Sequence, residues 1–195
     1  MENNLKTFLK HALKVFTDYL AVLFIFIILS YPVISIGGDN PAPAVGVASF
    51  FLFLLLFLLL YRDMSDIAVR ERRPQYNINP GPVRGLLLGL TGLVPIWVIE
   101  GVIALVRIGD NEIFQIRLIQ AVSVPLYWLA ALVNGQPSLY PFLLLLVAGM
   151  AFLGYWAGLR DFFLMQRIYK LIGYTPKKRV RKPRPRNTGK GFWRM

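Results

Sequence analysis

Apolar residues occupy this chain in long blocks set apart by short polar breaks. Residues 1–14 are polar and basic, with Lys6, Lys10 and Lys14. Residues 15–36 are almost wholly apolar, interrupted by Thr17, Asp18, Ser30, Pro32 and Ser35. About 20 such residues, rising about 1.5 Å each, cross a hydrocarbon core of about 30 Å, so a first spanning helix is predicted. Ala42-Pro43-Ala44 resembles a signal-peptidase site. The apolar stretch before it is longer than a secretory h-region, and the segment reads as an uncleaved anchor. A tight Gly/Asp/Asn/Pro turn at 37–43 leads into a second span at 44–61, completing a hairpin at 15–61.

Residues 62–84 form a charged connection. Its first part, 62–73, continues the helix out of the membrane until Pro74 and Pro80-Gly81-Pro82 end it. The third span is 85–106, with Pro95 and Glu100 inside it. Residues 116–133 are apolar enough for another span. Yet Arg117, Gln120, Ser123, Tyr127 and Asn134 fall within about 120° of one face at about 100° per residue. The pattern predicts a helix at 116–134 lying in the outer interface, stopped by Asn134-Gly135. Ser138 stands where it would cap a last span at 139–159, with Pro141 in its first turn. Residues 160–172 predict an inner juxtamembrane amphipathic helix, with Arg160, Gln166, Arg167 and Lys170 on one side. The second transmembrane hairpin thus covers 85–172, and a basic tail follows at 173–195. The predicted fold is all-α: a polytopic membrane protein with four transmembrane helices, the outer interfacial helix and the inner juxtamembrane helix.

Charge distribution decides between four and five spans. Of the 22 Lys and Arg, three precede the first span, five lie between the second and third, two lie between the third and fourth, and twelve follow. Four spans place 20 of the 22 on one side. By the positive-inside rule that side is cytoplasmic, so both termini are expected in the cytoplasm, at a plasma (inner) membrane. Composition agrees: 56% of residues are hydrophobic and 16% charged, against about 25% charged in soluble domains. No Cys and a single His exclude thiolate nucleophiles, disulfide exchange and Cys/His metal sites. No catalytic set, metal site or cofactor is predicted.

Tyr61-Arg62-Asp63 ends the second span and Leu159-Arg160-Asp161 the fourth, with a Tyr twelve residues after each Asp, at Tyr76 and Tyr174. Two tandem hairpins of the same orientation would give this pattern. The run Arg62-Asp63-Met64-Ser65 through Arg84-Gly85-Leu86-Leu87-Leu88-Gly89-Leu90, followed by Val94-Pro95, resembles uncharacterised four-helix integral membrane proteins of Gram-positive bacteria. The likeness covers about residues 60–96, with 155–158 a weaker second anchor, and implies the four-helix fold but no activity.

Glu100 is the one acid well inside a span, and an ionisable group there marks a possible ion or proton site. The structural alternative is pairing with Arg107 or Arg117. Gly85-x-x-x-Gly89 and Gly154-x-x-x-Gly158 lie at one depth on the third and fourth spans, where small residues let backbones approach. These two pairs are expected to meet. Tyr31, Trp97, Tyr127, Trp128 and Tyr140 predict an outer aromatic belt, and Tyr61, Tyr155 and Trp156 an inner one. His11 reads as an exposed residue of a basic amphipathic segment. In the tail, Lys177, Lys178, Arg179, Arg181, Lys182, Arg184 and Arg186 are placed to contact anionic lipid headgroups at the cytoplasmic face. RNA is the less favoured partner for that segment.

The sparse polarity of the spans favours a small non-enzymatic accessory or scaffold protein that packs against another membrane protein or itself. The alternative is a small transporter or channel subunit using Glu100. Polar residues of several helices converging on Glu100 would favour transport; a dry bundle with an exposed apolar groove would favour the accessory role.

Overall fold

A computed structural model describes residues 2–73, 81–105, 112–133, 136–160 and 162, and the side chains of all these except 2–4, 112 and 137. Described secondary structure is entirely helical. The elements are α1 (Glu2–Gly37), α2 (Ala42–Glu71), α3 (Val83–Leu105), α4 (Glu112–Val122), α5 (Tyr127–Leu132) and α6 (Tyr140–Leu159). Among them α1, α2, α3 and α6 are long and apolar enough to cross a membrane.

The turn between α1 and α2 forms where it was expected. Gly38 adopts φ +53° just past the last helical residue, a left-handed conformation that only glycine takes without strain. Asn40 then donates its backbone N–H to the Gly37 carbonyl at 3.1 Å. At 30 residues, α2 outruns the bilayer. Its apolar stretch ends at Tyr61, and the polar part carries it about 15 Å further to Glu71. Pro32 and Pro95 both lie inside continuous helices. Pro141 sits in the first turn of α6, where its missing N–H costs nothing. Ser138 does not cap α6; it lies in the preceding 3₁₀ turn, and Leu139 holds the cap position.

Glycines set the packing, but the two pairs do not face each other. A Cβ on Gly85 would stand 2.4 Å from the Tyr155 Cβ, and one on Gly89 would stand 2.8 Å from the Ala148 Cα, so the first pair lies against α6. A Cβ on Gly154 would stand 2.8 Å from the Tyr61 Cα, and one on Gly158 would stand 2.5 Å from the Ser65 carbonyl oxygen, so the second pair lies against α2. Helix α6 meets α3 with one face and α2 with another, and each of its neighbours needs its own strip of small residues. Gly92 plays the same part for α1: a Cβ there would stand 2.5 Å from the Ala12 carbonyl oxygen.

These contacts fix directions. Residues 61 and 65 of α2 lie beside 154 and 158 of α6 in the same order, so the two helices are parallel; α3 opposes both. The parallel run fits two hairpins of one orientation, although α6 ends at Leu159, while α2 continues well past the equivalent point. Tyr76 and Tyr174 fall outside the described residues, as do the tail and residues 163–172 of the juxtamembrane helix.

The single interfacial helix predicted at 116–134 is instead a broken pair. Helix α4 ends at Val122, and the chain turns by 86° before continuing through α5. Pro125 explains the break. It has no N–H to donate and it disfavours a helical conformation at Val124. Because α3 is antiparallel to α6, the chain leaves α3 and enters α6 at the same end of the bundle. The segment between them therefore dips in and returns without crossing, which keeps the span count at four.

Candidate functional site

The broken pair carries its apex into the bundle: Ser123, Val124, Pro125 and Leu126 are all buried. A break at this depth frees backbone groups that lipid cannot satisfy, and side chains of two helices meet them. Tyr19 of α1 donates its hydroxyl to the Val122 carbonyl at 3.0 Å. Ser49 of α2 donates to the Val124 carbonyl at 2.6 Å and accepts from the Trp128 N–H at 3.0 Å. Ser123 itself donates to Oε1 of Glu100 on α3.

Glu100 is 4% exposed, and its Oε2 has no hydrogen-bond partner among the described residues. It lies five residues, or about 7–8 Å, before the end of α3. Arg117, one of its two expected partners, donates to the Gln120 side chain at 3.4 Å instead, and Arg107 lies outside the described residues. Glu100 lines a cavity of about 490 Å³ between α3, α4 and the start of α6, together with Trp97, Ala104, Ile119, Ser138 and Pro141. Trp97 donates its indole N–H to the Pro141 carbonyl at 3.2 Å, linking α3 to α6 beside this cavity. Tyr140 is fully buried, so it is not an outer belt residue.

A second polar cluster sits at the opposite, basic end. Glu71 is 1% exposed and saturated on both oxygens. His11 Nδ1 lies 3.0 Å from Oε1, and Arg84 donates to the same oxygen at 3.0 Å. Tyr155 donates to Oε2 at 2.6 Å, with Arg84 Nε 2.8 Å from that oxygen. The Arg84 guanidinium also lies 5.7 Å from the centre of the Phe8 ring. One carboxylate thus joins α1, α2, α6 and the first turn of α3. Burial pushes the Glu71 carboxyl up, but hydrogen bonds from His11, Tyr155 and Arg84 outweigh it and hold it below the usual carboxylate range. Beside this hub, Lys14 pairs with Asp18 at 2.7 Å and with Asp63 at 2.8 Å, tying α1 to α2 again.

His11 is therefore not a surface residue, and Tyr155 and Tyr61 are not belt residues. Both tyrosines are buried, the Tyr61 hydroxyl donating to the Phe162 carbonyl at 2.7 Å. Trp156 remains partly exposed under the Arg160 guanidinium, 4.3 Å from its ring centre. Of the residues singled out in the sequence, Glu100 and the four glycines occupy interior positions; Lys177, Lys178, Arg179, Arg181, Lys182, Arg184 and Arg186 lie outside the described residues. Sequence reasoning missed Tyr19, Ser49, Glu71 and Arg84. Pro125 in the middle of an amphipathic stretch was the available signal for the break. Nothing in the spacing of Glu71, Arg84 and Tyr155 announced their meeting.

No protein-family model, curated protein sequence or solved structure matches this chain.

Proposed function

We propose that this chain is a small non-enzymatic protein of the bacterial plasma membrane, and that it acts as a transporter or channel subunit through Glu100. The observation that carries this reading is one buried carboxylate, bonded to the apex of a broken helix pair that α1 and α2 also hold, with an oxygen unpartnered among the described residues and a cavity beside it. Ionisable groups inside a membrane protein are costly, and discontinuous helices with polar breaks recur where membrane proteins bind ions and solutes. The basic end, holding the N-terminus and the 62–84 connection, lies in the cytoplasm on the positive-inside rule, and the Glu100 cavity then faces the outer side. The nine Lys and Arg between residues 177 and 195 support contact of the tail with anionic headgroups of the inner leaflet.

Two experiments test this. Cysteines placed at Asp39, Gln120 and Ser138 react with an impermeant thiol reagent in intact cells, and one at the exposed Asp66 does not; the reverse pattern inverts the topology. In proteoliposomes, Glu100→Gln abolishes proton or cation flux that the wild-type protein supports, and unchanged flux removes Glu100 from the pathway. The accessory or scaffold reading rests on a different observation. An apolar groove of about 640 Å³ runs between α2 and α5, lined by Phe50, Phe51 and Trp128 among others. On that reading Glu100→Gln is silent, and a membrane partner or a second copy is lost when Phe51 is made polar.

A further inference from the structure

We propose that the Glu100 cavity binds a monovalent organic cation with an apolar body, such as a lipophilic ammonium or phosphonium ion. The inference rests on Glu100 being the working site and names what that site takes.

The volume comes first. About 490 Å³ falls within the roughly 300–1,000 Å³ of small-molecule pockets and far exceeds the space of one bare metal ion. The lining comes second. Trp97, Ala104, Ile119 and Pro141 supply apolar walls, and Glu100 and Ser138 are the polar side chains among the lining residues. An inorganic cation must exchange most of its hydration shell for protein oxygens; calcium, for example, takes about six to eight. Two oxygen-bearing side chains do not provide that. An organic cation spreads its charge over an apolar surface, is weakly hydrated, and needs one counter-charge with apolar contact around it.

The charge comes third. Glu100 offers one negative charge with no basic partner among the described residues, so one positive charge balances it. Its Oε2 is the unpartnered atom. An indole face is the aromatic surface that cations favour most, and the bond from Trp97 to the Pro141 carbonyl holds that ring in the cavity wall. Finally, Gly101 lines the same cavity, and a Cβ built on it meets nothing within 4 Å. A Cβ can therefore be added at a lining position of the cavity without meeting other atoms.

The full-length protein in nanodiscs is titrated with tetraphenylphosphonium chloride by isothermal calorimetry, and with sodium and potassium chloride as competitors at fixed ionic strength. Wild type is expected to bind the phosphonium saturably with one site. Glu100→Gln keeps the side-chain size and is expected to weaken binding at least tenfold. Gly101→Leu keeps the carboxylate and fills the cavity, and is expected to weaken binding by a similar factor while leaving thermal stability unchanged. Sodium and potassium are expected not to compete. Equal phosphonium binding by wild type and Glu100→Gln overturns the proposal, as does full binding by Gly101→Leu. Sodium or potassium binding in place of the phosphonium, lost in Glu100→Gln, overturns the organic-cation assignment but leaves Glu100 as the working site. Absence of all binding, together with unchanged flux in Glu100→Gln, overturns both.

Discussion

Replacing Glu71 tests how the four long helices are held together at the basic end. The side chain is 1% exposed and faces one cation, one imidazole and one phenol. Removing one member of a buried ion pair costs about 3–5 kcal/mol, because the remaining member is left buried and uncompensated. Glu71→Ala is therefore expected to lose about 3–5 kcal/mol, with Arg84 and Tyr155 both orphaned. Tyr155→Phe removes one hydrogen bond to a charged group, worth about 1.5–3 kcal/mol, and leaves Arg84 and His11 in place. The double variant is expected to fall short of the sum, since Glu71→Ala has already stranded the Tyr155 hydroxyl and its removal then relieves an orphan. The assay is unfolding in mixed micelles followed by tryptophan fluorescence. The carboxyl is held below its usual range in the folded protein, so its contribution is fully present above the unfolded-state value and is lost as pH falls through the folded-state value. The difference between wild type and Glu71→Ala is expected to be flat at neutral pH and to shrink below the ordinary carboxylate range. Strict additivity, a smaller loss for Glu71→Ala than for Tyr155→Phe, or a difference that grows on acidification would each refute the hub.

Three further outcomes follow from the geometry. Gly154→Ala and Gly158→Ala drive a Cβ into α2 backbone atoms at 2.8 Å and 2.5 Å, and each is expected to lose roughly 1–3 kcal/mol. Gly46→Ala and Gly149→Ala meet open space and are expected to be neutral or to gain about 0.5–1 kcal/mol from helix propensity; equal thermal shifts in all four variants would contradict the packing. Ser49→Ala unties the apex of the broken pair and is expected to speed hydrogen exchange at the Trp128 amide, whereas Tyr19→Phe frees only the Val122 carbonyl and leaves that amide slow.

Four long apolar helices and the α1–α2 turn were legible because each is written in contiguous residues. Apolar blocks set the spans, Pro43, Pro82 and Pro141 stand near helix starts, and Gly38 lies in the turn. The helix at 116–134 was misread because amphipathicity reports which face is polar, not what that face meets. The residues counted as interfacial, Gln120 and Ser123 among them, turn toward α3 and α6 once Pro125 breaks the run. The glycine pairs were correctly taken as contact surfaces, but their partners are set by which helices are neighbours, and spacing carries no such information. Glu71 looked like one acid among the charges of a loop. Only the length of α2 beyond Tyr61 brings it level with Arg84 and Tyr155, and that length depends on where the helix stops.

The two buried carboxylates outside the Lys14 cluster differ in a way that bears on function. Both oxygens of Glu71 are filled, by partners from three other helices, and glycine contacts close the bundle around it. Satisfied buried polar groups rigidify a structure, and the Glu71 oxygens are both taken, although His11 and Glu71 also border a polar cavity of about 390 Å³ with Lys14, Asp63 and Arg70. At the other end, one Glu100 oxygen and the Trp128 indole N–H are buried without hydrogen-bond partners among the described residues. Unsatisfied groups of this kind are few in native proteins, and each calls for a cause. Here they lie around a helix break, and one of them lines a cavity whose walls are apolar. No residue of α1 after Val22 is buried, so along the half of the bundle that holds Glu100, α1 contributes little protein cover. On the transport reading, the difference in saturation singles out Glu100, whose free oxygen stands beside an apolar-walled cavity, over Glu71, whose two oxygens are both bonded.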